Sequence, residues 1–337
     1  MDTIAKLNDT EISRIVGPTR AAFQPYWSMS TSTDGIKSIP TKTFKYGATE
    51  RHQLDVYYPP PAKIATYEGH EVRYCQGESC HLADQGSKGS PVLCFVYSGG
   101  FTTGERILPN TFDMVYANLG AYFARKGFIV VIPDYRLVPN VKFPGPPEDI
   151  RDAIAWVVGN LNQASEAGLP QADTDAVFLM GHSAGAAHAS TMVLYPDLAP
   201  VELKQRIKGV VLISGPYDIL RKTTSKSVDL KEVYWSGEED MKKNQPLSLI
   251  QAMSASEAAA VPRVLMVEGE WEPEWVQVVG EELYAEALKK GVQVEKLVAK
   301  GHNHISLTLA LSTGQGEDWA ERAAGWMMQS LGLDTKA

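Results

Sequence analysis

The sequence predicts an α/β fold in which helices cover both faces of a mostly parallel central sheet. From about residue 90 onward, short apolar or β-branched runs alternate with longer segments of helical periodicity. Strands that alternate with helices in this way form parallel sheets. The length of 337 residues and the hydrophobic fraction of 44 % suffice for one large α/β domain, or for two smaller ones.

Eight short runs predict the strands, because each is rich in apolar and β-branched residues. The six runs that predict buried, parallel strands are Val92–Tyr97, Gly127–Ile132, Ala176–Met180, Gly209–Ser214, Arg263–Glu268 and Gln293–Val298. Two earlier runs, Lys42–Tyr46 and Leu54–Tyr58, predict an antiparallel hairpin or ladder at one edge. The predicted helices are Phe112–Arg125, Glu148–Asn162, Ala184–Leu194, Leu247–Ala259, Glu274–Lys290 and Asp318–Leu331.

Two stretches depart from this alternation. Residues 1–40 carry a weak amphipathic helical pattern and an aromatic group, formed by Ile4, Leu7, Ile12, Ile15, Phe23, Tyr26 and Trp27. Residues 220–246 are mostly polar and contain Tyr234-Trp235 followed by SGEED. Insertions of this kind lie over the carboxyl ends of the strands, where ligands bind. We therefore predict an N-terminal cap at 1–40, a main domain at 41–337, and either a lid or surface decoration at 220–246.

Charge and hydropathy exclude several classes of protein. The formal net charge of −8 argues against binding to the nucleic-acid backbone, because such binding needs a basic face. No apolar run approaches the ~18 residues of a membrane span. The first residues lack the pattern of a secretory signal. We therefore expect a cytoplasmic protein with no nucleic-acid partner and no membrane span.

The three cysteines predict neither a disulfide framework nor a metal centre. Cys94 lies inside an apolar run and is predicted to be a core residue. Cys75 and Cys80 flank a short polar stretch and could reach one another, but two reduced thiols are expected in a reducing compartment. Cys80 and His81 lack the fourth ligand that a closed zinc site needs. No metal is therefore expected.

The chemistry is carried by Gly181-His182-Ser183-Ala184-Gly185, a G-x-S-x-G motif. An apolar strand run precedes the motif and a helical pattern follows it. A strand–turn–helix of this kind places a serine in a strained, exposed position. The glycines are needed because a Cβ would collide with the turned backbone, and the following helix points its positive dipole end at the serine.

Four blocks of sequence resemble the α/β-hydrolases of the hormone-sensitive-lipase-like and feruloyl-esterase or kynurenine-formamidase-like group. They are GHSAG at 181–185, YSGGFTTG at 97–104, DYRLVPNVKFPGPPED at 134–149 and the C-terminal acid and histidine region. The blocks follow the order and spacing of that group over roughly residues 42–331. The resemblance implies an α/β-hydrolase fold, with residues 41–337 as its catalytic domain and Ser183 as its nucleophile.

The resemblance also implies an oxyanion hole. The amide groups of Gly99 and Gly100 would form it with the amide of Ala184, the residue after the nucleophile. The chain departs from the group here, because Tyr97 stands where histidine is usual and Ser98 replaces the first glycine. A phosphate-binding loop is excluded, since Glu105-Arg106 occupies the place of the required Lys-Ser/Thr.

In this group of enzymes the nucleophile comes first along the chain, then the acid and then the histidine, and this order selects the base. Only His302 and His304 follow the last predicted strand, and the sequence GHNHIS favours His304 as the base with His302 as its neighbour. Two further histidines, His182 and His188, are predicted to be structural. The remaining histidines, predicted to lie on the surface, are His52, His70 and His81.

Glu272 is the predicted triad acid. It lies before a proline in the segment EGEWEPEWV, after the predicted strand Arg263–Glu268, where related enzymes carry an acid. It would hold the His304 imidazole in the required tautomer. Glu270 is the nearest alternative in the same segment, and Asp218 follows the preceding strand. Both alternatives stay open at the level of the sequence.

A second motif in the resemblance is structural rather than catalytic. The segments DYRLVP and PGPPED supply Arg136 and Asp149, which we expect to pair in a buried or half-buried position beneath the active-site loops. A charged residue between apolar neighbours is expected to be partnered when it is buried. Loss of this pair should therefore affect folding more than chemistry.

The parts together predict a serine hydrolase that cleaves the carboxylic ester of a small or medium substrate without a cofactor. Trp271 and Trp275 beside the acid, with the aromatic group of residues 1–40, point to an apolar or aromatic substrate. An arylformamidase, a lactonase and an acyltransferase use the same triad and stay open. A non-catalytic receptor on this fold would be expected to lack the base or an oxyanion glycine. The resemblance makes a homodimer possible, although no sequence feature indicates an interface.

Overall fold

The architecture follows from a computed structural model that describes residues 1–7, 9–60, 63–67, 70–74, 89–221 and 229–333. Consecutive residues of the central strands are buried, as in the run Ile129–Pro133. Because successive side chains of a strand point to opposite faces, the sheet is covered on both sides. Of the cysteines, Cys94 is buried in the core, and burial raises the pKa of its thiol to about 12. Cys75, Cys80 and His81 lie outside the described residues.

Across the described ranges of the chain, ten strands form two sheets. In chain order they are β1 (Thr41–Lys45), β2 (Gln53–Tyr57), β3 (Lys63–Tyr67), β4 (His70–Tyr74), β5 (Ser90–Val96), β6 (Ile129–Pro133), β7 (Ala172–His182), β8 (Ile207–Ile213), β9 (Arg263–Trp271) and β10 (Val294–Asn303). The main sheet has eight strands in the order β1-β2-β6-β5-β7-β8-β9-β10. β2 pairs antiparallel with β1 and β6, and the remaining pairs are parallel. β3 and β4 form a separate antiparallel pair, which the sequence analysis did not predict.

The helices connect the strands and flank the sheet. In chain order they are α1 (Asp2–Ala5), α2 (Ile12–Ser28), α3 (Ser30–Lys37), α4 (Ala117–Arg125), α5 (Gly145–Ala164), α6 (Ala184–Leu194), α7 (Val201–Arg206), α8 (Leu230–Val233), α9 (Glu238–Asn244), α10 (Pro246–Ala252), α11 (Ala255–Ala259), α12 (Glu274–Lys290), α13 (Ser306–Leu309) and α14 (Asp318–Gln329). Within the described part of the chain, none of these helices is long and apolar enough to cross a membrane.

The predicted mostly parallel sheet is confirmed, and all eight predicted strands are present within a few residues of their expected ends. Two helix predictions were wrong in extent. Leu247–Ala259 is divided into α10 and α11, because Ser254 caps a new helix in a capping box with Glu257. Residues 112–116 do not belong to α4, since Phe112 and Asp113 adopt positive φ angles that a right-handed helix cannot contain.

The strand order places a crevice at the carboxyl ends of β5 and β7. The chain runs from β5 to β6 on one side and returns to β7 on the other side of β5. Ligands in open α/β sheets bind where the strand order reverses in this way. The carboxyl ends of β5, β7, β8, β9 and β10 and the turns that follow them therefore lie at one edge of the sheet, and every candidate site residue lies at this edge.

The N-terminal segment is packed into the core beside the last strand. On α2, the side chains of Ile15, Phe23 and Trp27 are buried. Thr19 is also buried, and its hydroxyl accepts a hydrogen bond of 2.9 Å from Asn303 Nδ2. Because one face of α2 is fixed by these contacts, the adjoining face is presented to the crevice at a defined position.

Residues 230–241 form a second, smaller core against the loop that follows β5. Tyr234 and Trp235 are buried, and their rings lie 5.6 and 6.3 Å from the ring of Phe101. Phe143 packs beside them, with its backbone amide bonded to the Tyr234 carbonyl. The segment predicted as a lid or as surface decoration is thus held on the protein by its two aromatic residues.

The predicted pair of Arg136 and Asp149 is present. Both carboxylate oxygens of Asp149 accept hydrogen bonds from Arg136, whose Nη2 lies 2.6 Å from Oδ1, and Asp149 is 1 % exposed. The surface prediction for His52 was wrong, since its Nε2 lies 3.2 Å from Asp149 Oδ1 and its side chain is only 12 % exposed. The fold brings the His52 ring to the buried carboxylate of Asp149, which lies about a hundred residues further along the chain.

The buried carboxylate predicts a measurable difference in stability. Asp149→Ala should lower the free energy of unfolding by about 2 kcal/mol, because it leaves a half-buried guanidinium without its partner. Asp152→Ala removes an exposed carboxylate from the same helix and should cost no more than about 0.5 kcal/mol. Urea unfolding of both variants measures the two changes, and equal losses would contradict the structural role of the buried pair.

Candidate active site

Ser183 lies at a sharp turn between β7 and α6. Its φ of 52° and ψ of −121° place a non-glycine residue in a strained backbone region. A Cβ on Gly181 would lie 2.4 Å from the Gly185 carbonyl oxygen, and a Cβ on Gly185 would lie 2.1 Å from the Val96 carbonyl oxygen. Both glycines of the motif are therefore required by backbone contacts, as the sequence predicted.

The structure brings Ser183, His304 and Glu272 together in one hydrogen-bonded chain. His304 Nε2 lies 2.9 Å from Ser183 Oγ, and His304 Nδ1 lies 2.7 Å from Glu272 Oε2. A carboxylate can only accept hydrogen bonds, so Nδ1 carries the proton and Nε2 is free to accept the serine hydroxyl. This arrangement can remove the proton of Ser183 as its oxygen attacks a carbonyl carbon.

The carboxylate of Glu272 is fixed on both sides. Its Oε1 accepts a hydrogen bond of 2.6 Å from Ser214 Oγ and one of 3.3 Å from the amide of Gly269. Glu272 and His304 are each 1 % exposed. Burying an ionised group is costly unless hydrogen bonds compensate for the lost water. The donors on Oε1 provide that compensation and hold Oε2 toward the imidazole.

The structure separates the alternative acids from the histidine. Glu270 accepts hydrogen bonds from the Gly301 amide and from Lys300. Asp218 accepts from Gln245 Nε2 at 2.7 Å. Among the candidates, Glu272 therefore makes the contact with His304.

Three other histidines have structural environments. His302 bonds to the hydroxyl of Ser306 through Nδ1 and to the Gly316 carbonyl through Nε2, at 3.0 and 2.6 Å. His182 Nε2 donates to the carbonyl oxygen of His304 at 2.8 Å, and burial lowers the pKa of His182 to about 3. Burial likewise lowers the pKa of His188 to about 3. The burial of both rings agrees with the predictions that His182 is a packed or hydrogen-bonding residue and that His188 is structural.

The glycine turn after β5 borders the serine. Gly99 and Gly100 have φ angles of 153° and 60°, and a Cβ on Gly99 would lie 1.8 Å from the carbonyl oxygen of Thr103. Both glycines line the same cavity as Ser183 and Ala184. The tight turn therefore brings backbone amides near the hydroxyl, where they can stabilise negative charge on a substrate oxygen.

Tyr97 explains how the loop is held without the usual histidine. Its hydroxyl donates to Asp134 Oδ1 at 2.8 Å and accepts from Arg51 Nη2 at 2.7 Å. Arg51 also donates to the carbonyl of Gly104, at the far end of the loop, and the Tyr97 ring stacks on Tyr135 at 4.7 Å. A buried polar network therefore fixes both ends of the loop.

A cavity of about 1,300 Å³ opens above the serine. This volume exceeds the ~300–1,000 Å³ that is common for small-molecule sites. One wall comes from Ile12, Val16 and Arg20 of α2. Leu230 and Met241 from the second core also line the cavity. The cavity has room for groups on both sides of a scissile bond.

The aromatic group of the N-terminal segment does not face this cavity. The side chains of Phe23 and Trp27 are buried in the core, 1 and 2 % exposed, and do not line the cavity. Trp271 is exposed, and Trp275 lines the cavity. Phe23 and Trp27 therefore give no information about the substrate. Among the described residues there is no cluster of three or more side chains that could hold a metal ion.

A family model described as "alpha/beta hydrolase fold" matches residues 93–308, well over half of the chain. The chain belongs to the α/β-hydrolase fold family. The predicted α/β-hydrolase fold is thereby confirmed. The match includes the glycine turn, the G-x-S-x-G motif, Glu272 and His304.

Similar proteins share this fold. A probable isoprenylcysteine α-carbonyl methylesterase from Oryza sativa subsp. japonica is 26 % identical over 68 % of this chain and 54 % of its own length. A kynurenine formamidase from Danio rerio is 25 % identical over 83 % of this chain and 86 % of its own. A solved hyperthermophilic esterase from Pyrobaculum calidifontis has a TM-score of 0.61 at 19 % identity, covering 98 % of this chain and 97 % of that chain. This chain spans only about half the length of several curated relatives that it matches.

Sequence reasoning missed several residues that surround the site. Ser214 follows β8 and contacts Glu272, but an isolated serine after a strand carries no distinctive pattern. The contact between Thr19 and Asn303 joins residues separated by 284 positions. Arg20 follows a core position on an amphipathic helix, and only the helical spacing from Ile12 and Val16 could have placed it on the cavity face.

The close contact at Gly185 predicts a large loss of stability on substitution. Gly185→Ala places a methyl group against two backbone carbonyls and should lower the free energy of unfolding by about 3 kcal/mol or more. Gly159→Ala is the matched control, because no atom lies within 4 Å of a Cβ at that helical position. It should raise stability by up to about 1 kcal/mol. Urea unfolding measures both, and a Gly185→Ala variant as stable as the wild type would contradict the contact.

Proposed function

We propose that this α/β-hydrolase fold protein is a serine hydrolase that cleaves carboxylic esters of small or medium size through an acyl-enzyme on Ser183. The observation that carries the proposal is the buried hydrogen-bonded chain from Ser183 through His304 to Glu272 at the base of an open cavity. Nucleophile, base and orienting acid are then in the roles that acyl transfer requires.

The first half of the reaction forms the acyl-enzyme. His304 Nε2 accepts the proton of Ser183 as Oγ attacks the ester carbonyl carbon, and Glu272 stabilises the imidazolium that results. The tetrahedral intermediate expels the alcohol, which receives its proton from His304. In the second half, His304 activates water, which attacks the acyl carbon and releases the carboxylic acid and Ser183.

The oxyanion of each intermediate would be held by the amide groups of Gly99, Gly100 and Ala184. All three residues line the cavity beside Ser183, and the dipole of α6 adds a positive partial charge at Ala184. Removal of one such donor typically costs about 2.7–4 kcal/mol of barrier. The network on Tyr97 keeps the glycine turn in position for this role.

We further propose that two segments outside the central sheet form the substrate walls. The cap at residues 1–40 contributes α2, and the insertion at 220–246 contributes Leu230 and Met241, all facing the cavity. The catalytic domain at 41–337 then supplies the reacting groups. The substrate is a small-molecule ester, for which the proposed mechanism needs no cofactor.

A formamidase activity is the second candidate. The observation in its favour is the similarity to the zebrafish kynurenine formamidase over more than four fifths of both chains. The same three side chains can attack a formyl amide, so the geometry does not separate the two reactions. The ratio of kcat/KM for N-formylkynurenine to that for an acetyl ester ranks one function above the other.

The proposed nucleophile predicts the effect of its removal. Wild-type protein should hydrolyse 4-nitrophenyl acetate, butyrate and octanoate, and Ser183→Ala should lower kcat by about 10⁴-fold or more. Ser38→Ala, at an exposed position, is the matched control and should retain full activity. The rate of nitrophenolate release gives kcat for the wild type and for both variants. A Ser183→Ala variant with wild-type turnover would exclude the acyl-enzyme route.

The proposed acid predicts a contrast between two neighbouring glutamates. Glu272→Gln should lower kcat by about 10³–10⁴-fold, because the amide no longer fixes the productive tautomer or stabilises the imidazolium. Glu270→Gln alters a carboxylate that contacts Gly301 and Lys300 and should change kcat by less than threefold. The same ester assay measures kcat for both variants, and circular dichroism checks that they are folded. Similar losses in the two variants would count against Glu272.

A further inference from the structure

Among the residues that the structure describes, no carboxylate partners one cation on the wall of the active-site cavity, Arg20. Ile12, Val16 and Arg20 recur at intervals of four residues along α2 and line the cavity together. Thr19, the residue before Arg20, is buried and bonded to Asn303. The backbone at Arg20 is therefore fixed, and its half-buried side chain is directed toward the site.

The other charged groups of the cavity are already satisfied or lie at its rim. Lys231 has carboxylate oxygens of Asp229 and Glu238 at 3.9 and 3.8 Å. Glu11 accepts from Ser13, and Glu105 is exposed. Within the described part of the chain, no carboxylate lies within 4 Å of Arg20, although it is one of the two cations that line this cavity.

Arg20 lies close enough to Tyr116, which is hydrogen-bonded to the Ser98 backbone beside the glycine turn, for its positive charge to act on the tyrosine hydroxyl. Tyr116 lines the cavity with Ser98 and Gly99. Burial raises the pKa of Tyr116 to about 12, while a hydrogen bond with the Ser98 backbone and the positive charge of Arg20 oppose the rise. An anionic group bound by Arg20 would therefore lie in the same cavity as the reacting carbonyl.

We propose that Arg20 binds a carboxylate of the substrate, so that the preferred substrates are esters with a second, anionic carboxyl group. A half-buried guanidinium gains most from a planar anion that accepts two parallel hydrogen bonds. A monoanion fits better than a phosphate dianion, because the wall offers one unpaired guanidinium and its remaining charged groups include Glu11, Glu105 and Asp229. This inference rests on the proposed ester hydrolysis.

Two matched pairs of esters test the proposal. The first pair is 4-acetoxybenzoate and methyl 4-acetoxybenzoate, in which the anion lies on the leaving group. The second pair is 4-nitrophenyl hydrogen adipate and 4-nitrophenyl methyl adipate, in which the anion lies on the acyl group. Within each pair the compared substrates differ in the charge of one carboxyl group and in its methyl group, so the change in the ratio of their kcat/KM values between a variant and the wild type reports recognition of the carboxylate.

Arg20→Met should lower the ratio of anionic to neutral substrate by about tenfold or more in at least one pair. Arg20→Lys should retain part of the preference, because it keeps the charge and loses the bidentate geometry. Arg14→Met is the matched control. It removes the same charge from an exposed position of the same helix and should leave both ratios within twofold of wild type.

Two results would overturn the assignment of Arg20. One is an Arg20→Met variant whose ratios stay within twofold of wild type in both pairs. The other is an equal fall in Arg14→Met, which would attribute the effect to overall charge. A failure of the wild type to cleave any of the four esters would instead refute the proposed function. Calorimetric titration of uncleaved 4-acetoxybenzoate then decides on Arg20: binding that Arg20→Met loses supports the assignment, and absence of binding by the wild type overturns it.

Discussion

At Gly185 the first turn of α6 lies so close to the end of β5 that a methyl group would lie 2.1 Å from the carbonyl oxygen of Val96. This contact fixes the distance between the turn that carries Ser183 and the loop that carries Gly99. The strained φ of Ser183 persists because the buried strand and helix on either side leave the turn no alternative. The hydroxyl of Ser183 and the glycine turn are thus held side by side by backbone packing, before any side chain contributes.

The polar groups of the site depend on that packing in turn. Ser214, Glu272 and His304 follow three adjacent parallel strands, so their side chains meet at one edge of the sheet. Each lies almost entirely out of water. Every hydrogen bond between these side chains is therefore stronger than it would be at the protein surface, and a polar group left without a partner there would cost more free energy. The two donors on Glu272 Oε1 make a buried carboxylate tolerable and orient the oxygen that faces the imidazole.

The helix α2 couples the wall of the cavity to the turn that carries His304. The Thr19 hydroxyl accepts a hydrogen bond from the side-chain amide of Asn303. The side-chain oxygen of Asn303 in turn accepts hydrogen bonds from the backbone amides of Ile305 and Ser306, which follow His304. The buried side-chain amide of Asn303 thus joins α2, which carries Arg20, to the turn that carries His304. A wall held in this way can hold a substrate group at a constant distance from the reacting atoms, which is the condition for effective positioning.

Local pattern alone predicted the strands, the elbow at Ser183 and the glycine turn. These features depend on short-range sterics and on periodicity, which a sequence displays directly. The order of nucleophile, acid and histidine was implied instead by the resemblance to the α/β-hydrolases. The choice among Glu272, Glu270 and Asp218 required the tertiary structure, because all three follow strands that end near the site. The position of Arg20 and the contacts of Ser214 required it too. They arise from residues far apart in the chain, and sequence spacing holds no information about which side chains such a fold brings within hydrogen-bonding distance.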